Sequence, residues 1–285
     1  MGYPMAGHLA KGGKKVTVWT HNAAKAQKFA KEAGATAASS PKAVAEAVDV
    51  LFLCVGTTDM AREVLVGEDG VVKSGKRGLI VADASTISPE GSRAIGKELE
   101  AAGIRYLDAP CTGSTQGATG GTLTFMIGGD RSVFEQTKPI FELMGKQFYF
   151  CGGPGMGLQA KLTQNLILAN MMQAFNEGIV LATKGGVDPQ TMYQILDNSA
   201  AKSGLISGKA PQVFKRDFET RFSTKWMHKD VSMALDSGKS LGVSLPITAV
   251  TQQMFQAAIS SGDGDVDFAA TVKTIEKLAG IEVKA

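Results

Sequence analysis

Short β-branched runs alternating with alanine-rich stretches restrict the first half of this chain to few folds. VTVW at 16–19, VDVLFLCV at 48–55, LIVADAS at 79–85 and RYLDAP at 105–110 read as strands. Between them AAKAQKFAKEAG, AVAEAV and SRAIGKELEAAG read as helices, the first and last closed by Gly34 and Gly103. Strands and helices alternating at this length predict a doubly wound parallel sheet in an α/β unit. Ligands on such sheets lie beyond the carboxyl ends of the strands. Those ends carry Thr20-His21-Asn22, Val55 and Gly56 followed by two threonines, the run from Asp83 to Thr86, and the run from Asp108 to Gly113. Each run alone is an ordinary turn; four small or polar turns on one edge suit a nucleotide and a polar substrate.

From Leu158 onward the β signals vanish. Helical patterns cover roughly 158–185, 189–199, 203–215, 224–241, 246–261 and 265–279, with Pro189 at a helix start and Gly185-Gly186 at a helix end. The expected organisation is therefore a dinucleotide-binding domain over 1–153 and an all-helical domain over 154–285. An apolar helix of more than twenty residues must be covered on all sides. Met171, Met172, Phe175, Ile179, Val180 and Leu181 on it point to a homodimer or homotetramer, with core packing inside one chain an equally weighted explanation.

Composition removes several function classes. At 285 residues and 44% hydrophobic content the chain can hold two ordinary cores. A net charge of +3, with dispersed basic residues, leaves no footprint for nucleic acid. No apolar run is long enough to span a bilayer, and no export leader opens the chain, so no membrane partner and a cytoplasmic location are expected. Cys54, Cys111 and Cys151 form no close pair, and His8, His21 and His228 are widely separated, so neither a disulfide framework, a metal site nor a serine–histidine triad is expected.

The chemistry-bearing stretch is GGPGMGLQAKLTQN at 152–165, where a glycine-rich bend leads into a helix carrying Lys161 and Asn165. Four residues apart, these stack one turn above the other, so an ammonium and an amide can meet one polar group. A lysine on a helix is more often a solvated charge. The apolar run LILANMMQAF that follows instead places this lysine at the start of a buried helix.

Four segments together carry a family resemblance: DASTISPE at 83–90, DAPCTGSTQGATGGTLTFMIGGD at 108–130, GPGMGLQAKLTQN at 153–165 and HKD at 228–230. In these the chain resembles the β-hydroxyacid dehydrogenases, the group of 3-hydroxyisobutyrate, tartronate semialdehyde and succinic semialdehyde/glyoxylate reductases. The resemblance spans nearly the whole chain. It implies an NAD(P)-dependent oxidoreductase with an N-terminal Rossmann-like domain, a helical C-terminal domain and a small carboxylate-bearing substrate bound between them. Lys161 matches the family's catalytic lysine, Thr112 and Gly113 its substrate-carboxylate motif, and Asn165 its substrate-binding asparagine. Lys229 and Asp230 match its pair near the nicotinamide, Lys229 on the cofactor side and Asp230 on the substrate side. Gly2, Met5, Thr20, His21, Asn22, Val55, Gly56 and Thr86 fall on its cofactor-binding positions. Partial burial and positive neighbours would bring the Lys161 pKa down towards working pH.

The sequence departs from the family pattern in two places. Thr112-Gly113-Ser114 stands where the family has Ser-Gly-Gly, which keeps a hydroxyl but adds a methyl group to the substrate pocket. Met1-Gly2-Tyr3-Pro4-Met5 aligns only with the last glycine of the family's GxGxxG turn and the helix after it. The first strand and two glycines are then lacking, and an N-terminally truncated copy of a longer protein is expected. Some five buried apolar side chains at ~1.5–3 kcal/mol each would be missing, against ~5–15 kcal/mol for a whole domain. Thr20-His21-Asn22 lacks the acid that selects NAD, and His21 with Lys25 favours NADP, with NAD the second choice. Two other functions are compatible with the same fold: an imine reductase, opposed by Lys161, and a non-catalytic scaffold, opposed by Lys161, Asn165 and Thr112 together.

Overall fold

The computed structural model describes residues 1–284. The chain divides into two compact units, Met1–Lys161 and the remainder from Leu162 onward. In the first unit the order is α1 (Gly2–Lys11), β1 (Thr17–Val18), α2 (Ala23–Ala33), β2 (Thr36–Ala37), α3 (Pro41–Ala47), β3 (Val50–Leu53) and α4 (Thr58–Val66). There follow β4 (Ile80–Asp83), α5 (Pro89–Ala101), β5 (Arg105–Asp108), β6 (Cys111–Thr112), α6 (Ser114–Gly120), β7 (Leu123–Gly129), α7 (Arg131–Phe141) and β8 (Gly145–Gly152). Helix starts are written locally. Ser40, Thr57 and Ser88 each accept a bond from the amide three residues on, and Pro41 and Pro89 occupy first-turn positions.

Strands β3, β4 and β5 run parallel, as expected from their helical crossovers. The rest of the sheet departs from the all-parallel expectation. β7 is antiparallel to both β5 and β6, and β8 then pairs parallel to β7, giving the order β3-β4-β5-β7-β6 with β8 beside β7. β1 and β2 form a separate parallel pair, and among the described residues no strand joins it to the larger sheet. The four residues of β4 are buried on both faces. Ile80 and Ala82 pack with Met5, Leu107, Phe125 and Phe141 on one side, while Val81 packs with Leu65, Ile95 and Leu99 on the other. A strand covered on both faces reads as a continuous apolar run, which is why LIVA stands out in the sequence.

Helix α8 (Met156–Lys184) runs from the first unit into the second, which adds α9 (Pro189–Asp197), α10 (Gly204–Phe214), α11 (Thr224–Leu241), α12 (Pro246–Ala258) and α13 (Val272–Ala279). The expected helices are all present. The stretch expected as one helix over 265–279 begins as a tighter turn at Phe268–Thr271, where Asp267 caps it through the Ala269 amide. Met172, Phe175, Ile179 and Val180 of α8 are buried in the core of this unit with Leu205, Phe214, Met227 and Phe255. Core packing within one chain thus covers most of the apolar helix, whereas Leu181 stays 76% exposed. Asp267, fully buried, accepts bonds from Lys209 Nζ at 2.6 Å and from the amides of Arg221, Phe222 and Ala269. Among the described residues no helix is long and apolar enough to cross a membrane.

Candidate active site

The carboxyl ends of β3, β4 and β5 lie in register, with Leu53 opposite Asp83 and Asp83 opposite Asp108. Two side chains fix the loops that leave them. Ser85 Oγ accepts the Val55 amide at 2.8 Å, and Thr58 Oγ1 accepts the Ser88 amide at 3.1 Å. Asp83 accepts the Ser85 amide at 2.9 Å and the Tyr106 hydroxyl at 3.2 Å, and burial pushes its carboxyl above the usual range. These bonds hold the turns around Val55, Gly56 and Thr86 in place.

Helix α1 begins at the same strand ends. The Gly2 amide bonds the Cys54 sulfur, so the first turn of α1 lies against the end of β3. No acidic residue and no side-chain cap occupies that turn, which leaves its electrostatics suited to an anion. Met5 is different from what its sequence position suggests for a ligand contact: its side chain is buried in the core with Ile80 and Ala82. At the end of β1, His21 is exposed and Thr20 half-buried, while Asn22 caps α2 by accepting the Lys25 amide at 3.1 Å. This set of groups fits a dinucleotide.

Lys161 is only 7% exposed. Burial pushes the pKa of the Cys111 thiol up to about 12, while the charge of Lys161 pulls it the other way. The ammonium is thus within electrostatic reach of β6, whose next residue is Thr112. Gly113 follows at φ +130°, a conformation that L side chains rarely adopt, and a methyl group there would lie 3.2 Å from Leu123. Glycine at this place lets the chain turn directly from Thr112 into α6.

In the second unit Asn165, Lys229 and Asp230 come together. Asn165 Nδ2 donates to Asp230 Oδ2 at 2.6 Å, and Lys229 Nζ lies 3.2 Å from Asp230 Oδ1. Lys229 also lies 5.3 Å from the Trp226 ring centre. The sequence places Asp108 at a strand end but does not foretell its partners: its carboxylate accepts the amides of Gly155 at 2.7 Å and Leu158 at 2.9 Å. The one signal was an acid ending a strand in RYLDAP. Among the described residues no cluster of three metal-ligating side chains exists, and His8 bonds the carbonyls of Ala118 and Thr119.

Comparison with known proteins gives the same assignment. Residues 1–153 match the family described as the NAD-binding domain of 6-phosphogluconate dehydrogenase. Residues 155–275 match that described as the NAD-binding region of NADP-dependent 3-hydroxyisobutyrate dehydrogenase. The chain is 36% identical to 2-hydroxy-3-oxopropionate reductase of Escherichia coli K12 over 98% of its own length and 95% of the relative's. It is 35% identical to 2-(hydroxymethyl)glutarate dehydrogenase of Eubacterium barkeri, over 99% and 94% of the two chains. The structure of a Mycobacterium tuberculosis 3-hydroxyisobutyrate dehydrogenase with L-serine superposes with a TM-score of 0.88 at 30% identity, covering 96% of this chain and 95% of that one. An unacidic helix start at the strand ends, a buried lysine beside β6 and matches across both units lead to one conclusion: the chain belongs to the β-hydroxyacid dehydrogenase family, as an NAD(P)-dependent hydroxyacid dehydrogenase or semialdehyde reductase whose cofactor is NADP, or NAD.

Proposed function

We propose that this enzyme reduces a small carboxylate-bearing aldehyde, namely succinic, tartronate or methylmalonate semialdehyde or glyoxylate, or oxidises the matching hydroxy acid, with Lys161 as general acid and base. The observation that carries this is the burial of Lys161 on α8 within electrostatic reach of the Cys111–Thr112 strand. The reduced nicotinamide, when bound, supplies the hydride. As the new C–H bond forms, the carbonyl π pair moves onto oxygen, and Lys161 donates a proton there to give the alcohol. In the oxidising direction neutral Lys161 takes that proton back.

The remaining residues bind and orient. The first turn of α1, from Gly2 to Met5, would hold the pyrophosphate, and Val55, Gly56 and Thr86 the ribose and nicotinamide side. Thr20, His21 and Asn22 would hold the adenosine end, with the exposed His21 suited to a ribose phosphate. Thr112 and the Gly113 backbone would take the substrate carboxylate. Asn165 and Asp230 would fix the substrate hydroxyl, with Lys229 compensating the charge of Asp230. The 2-hydroxy-3-oxopropionate reductase relative supports the aldehyde class, since its name describes a carboxylate-bearing semialdehyde.

Replacing Lys161 by Ala tests the proposal. An enzyme of this kind loses about 10²–10⁴-fold in turnover while its NADPH affinity stays within about threefold. Undiminished turnover would remove Lys161 from the reaction.

A further inference from the structure

Gly155 is the residue before α8: its carbonyl accepts the first helical bond, from Gln159 at 3.0 Å. Its φ is +83°, so a side chain able to cap the helix from that place is strained out. Leu158, at the third helical position, has no acceptor with which to reach back. A capping box uses those two places to satisfy the amides at both of them. Here neither residue can do so, and the missing acceptors come from Asp108, 47 and 50 residues away, one carboxylate oxygen to each amide. Lys161 follows Leu158 by three residues, within the next turn of the same helix.

The sheet and helix are also in contact at this place with no room to shift. A methyl group at Gly157 would lie 2.4 Å from the Met126 carbonyl oxygen and 2.9 Å from that of Asp108; one at Gly128 would lie 2.5 Å from Asp108 Oδ1. The helix start is therefore held sideways by backbone packing and along its axis by one carboxylate.

We propose that Asp108 is a positioning residue for Lys161, its carboxylate replacing the local cap of α8 and fixing the height and rotation at which that helix carries the lysine. This rests on the reading of Lys161 as the group that transfers the proton. Burial raises the Asp108 carboxyl to about 6, against the pull of the two amides, with Asp83 on β4 raising it further. The other ionisable groups around it are Tyr106 on β5 and Cys151 on β8, both of which sense its charge, and Arg93 on α5, packed against Gly155.

The test follows the isotope-labelled lysine Cε resonance of Lys161, assigned by its loss in Lys161→Arg. In the unmodified chain that resonance is expected to show an inflection near pH 6, as Asp108 protonates and its grip on the two amides weakens. A flat response across that range would overturn the proposal, and this measurement needs no variant to fold. In Asp108→Asn, with its melting transition retained, the inflection is expected to vanish, the Gly155 and Leu158 amides to exchange faster, and kcat to fall about tenfold or more with KM within about threefold. A folded Asn variant with wild-type kcat and an unmoved Lys161 resonance would also overturn it. Lys161→Ala with full turnover would instead sink the proposed function while leaving the coupling of Asp108 to Lys161 measurable.

Discussion

Asn165 and Asp230, 65 residues apart in sequence, are joined in the second unit by a 2.6 Å hydrogen bond between buried side chains. The bond fixes which end of the amide faces the carboxylate: nitrogen towards Asp230, carbonyl oxygen away from it. Lys229 approaches the other carboxylate oxygen at 3.2 Å. Asp230→Ala removes the acceptor of a buried amide and the partner of a half-buried ammonium in one step. A loss of ~1.5–3 kcal/mol is expected, read as a lower urea midpoint, together with a raised KM for the aldehyde. An unchanged midpoint would mean that Asn165 finds another acceptor at no cost.

The pH dependence of stability has a definite sign at Asp108. Its carboxyl is raised in the folded chain to about 6 from 3.8, so the folded state holds its proton more tightly than the unfolded one. The stabilisation linked to that proton is fully present below pH 3.8 and is lost as pH rises through about 6. A shift of this size corresponds to ~3 kcal/mol. Asp108→Asn cannot ionise, so its stability measured against the parent should improve steadily between pH 4 and 7. Parallel stability curves for the two proteins across that range would refute the linkage.

How far this was legible depends on whether a feature is local. The Lys161–Asn165 spacing, the helix starts at Pro189 and Pro246, and the buried run LIVA of β4 are local patterns, and each corresponds to a structural element. β7 was not recognised because it ends in Gly128 and Gly129, residues that weaken a strand signal. The structure gives the reason for Gly128: α8 comes so close there that a side chain has no space. The reversal of β7 against β5 was hidden for a related reason, since strand direction is set by connections and not by residue type. The Asp108 cap was illegible in principle, its partners being 47 and 50 residues away.

Glycines separate steric from conformational demands. Gly157→Ala places a methyl group against two backbone oxygens that cannot move aside, at 2.4 and 2.9 Å. Gly186 has a comparable left-handed φ of +91° to that of Gly155, but nothing lies within 4 Å of its added methyl. Gly186→Ala should therefore cost only the ~1–2 kcal/mol of a left-handed alanine. Gly157→Ala should cost at least as much by overpacking, ~1–3 kcal/mol, and should also displace the start of α8. Urea midpoints report the first effect for both variants; only Gly157→Ala should lower kcat as well. Wild-type turnover in a folded Gly157→Ala would show that Lys161 tolerates movement of its helix.

Exposed apolar side chains on the second unit lead us to predict that copies of the chain associate. On the second unit Leu181 is 76% exposed, Ile247 70% and Val250 61%, values that a lone chain leaves wet at a cost in solubility. A homodimer or homotetramer burying them is the expected state in solution. Light scattering coupled to size exclusion should give two or four times the 29.8 kDa chain mass. Ile247→Asp with Val250→Asp should shift the mass towards that of one chain. A monomeric mass for the unaltered protein would reject these side chains as interface residues.

Cofactor choice should be decided at the end of β1, where His21 is exposed and Asn22 is occupied in capping α2. Because the Asn22 oxygen already accepts the Lys25 amide, the neighbour with an uncommitted position in the turn is His21, and Lys25 stands one turn into the helix. Both can meet a ribose phosphate, which NADPH has and NADH lacks. His21→Glu puts a like charge against that phosphate and offers NADH an acceptor for its ribose hydroxyls. Fluorescence titration should show NADPH binding weakened by about tenfold or more, the equivalent of ~1.4 kcal/mol, and NADH binding unchanged or tighter. Equal loss for both dinucleotides would mean that this turn supports the site without reading the phosphate, and that the preference lies elsewhere on the strand ends.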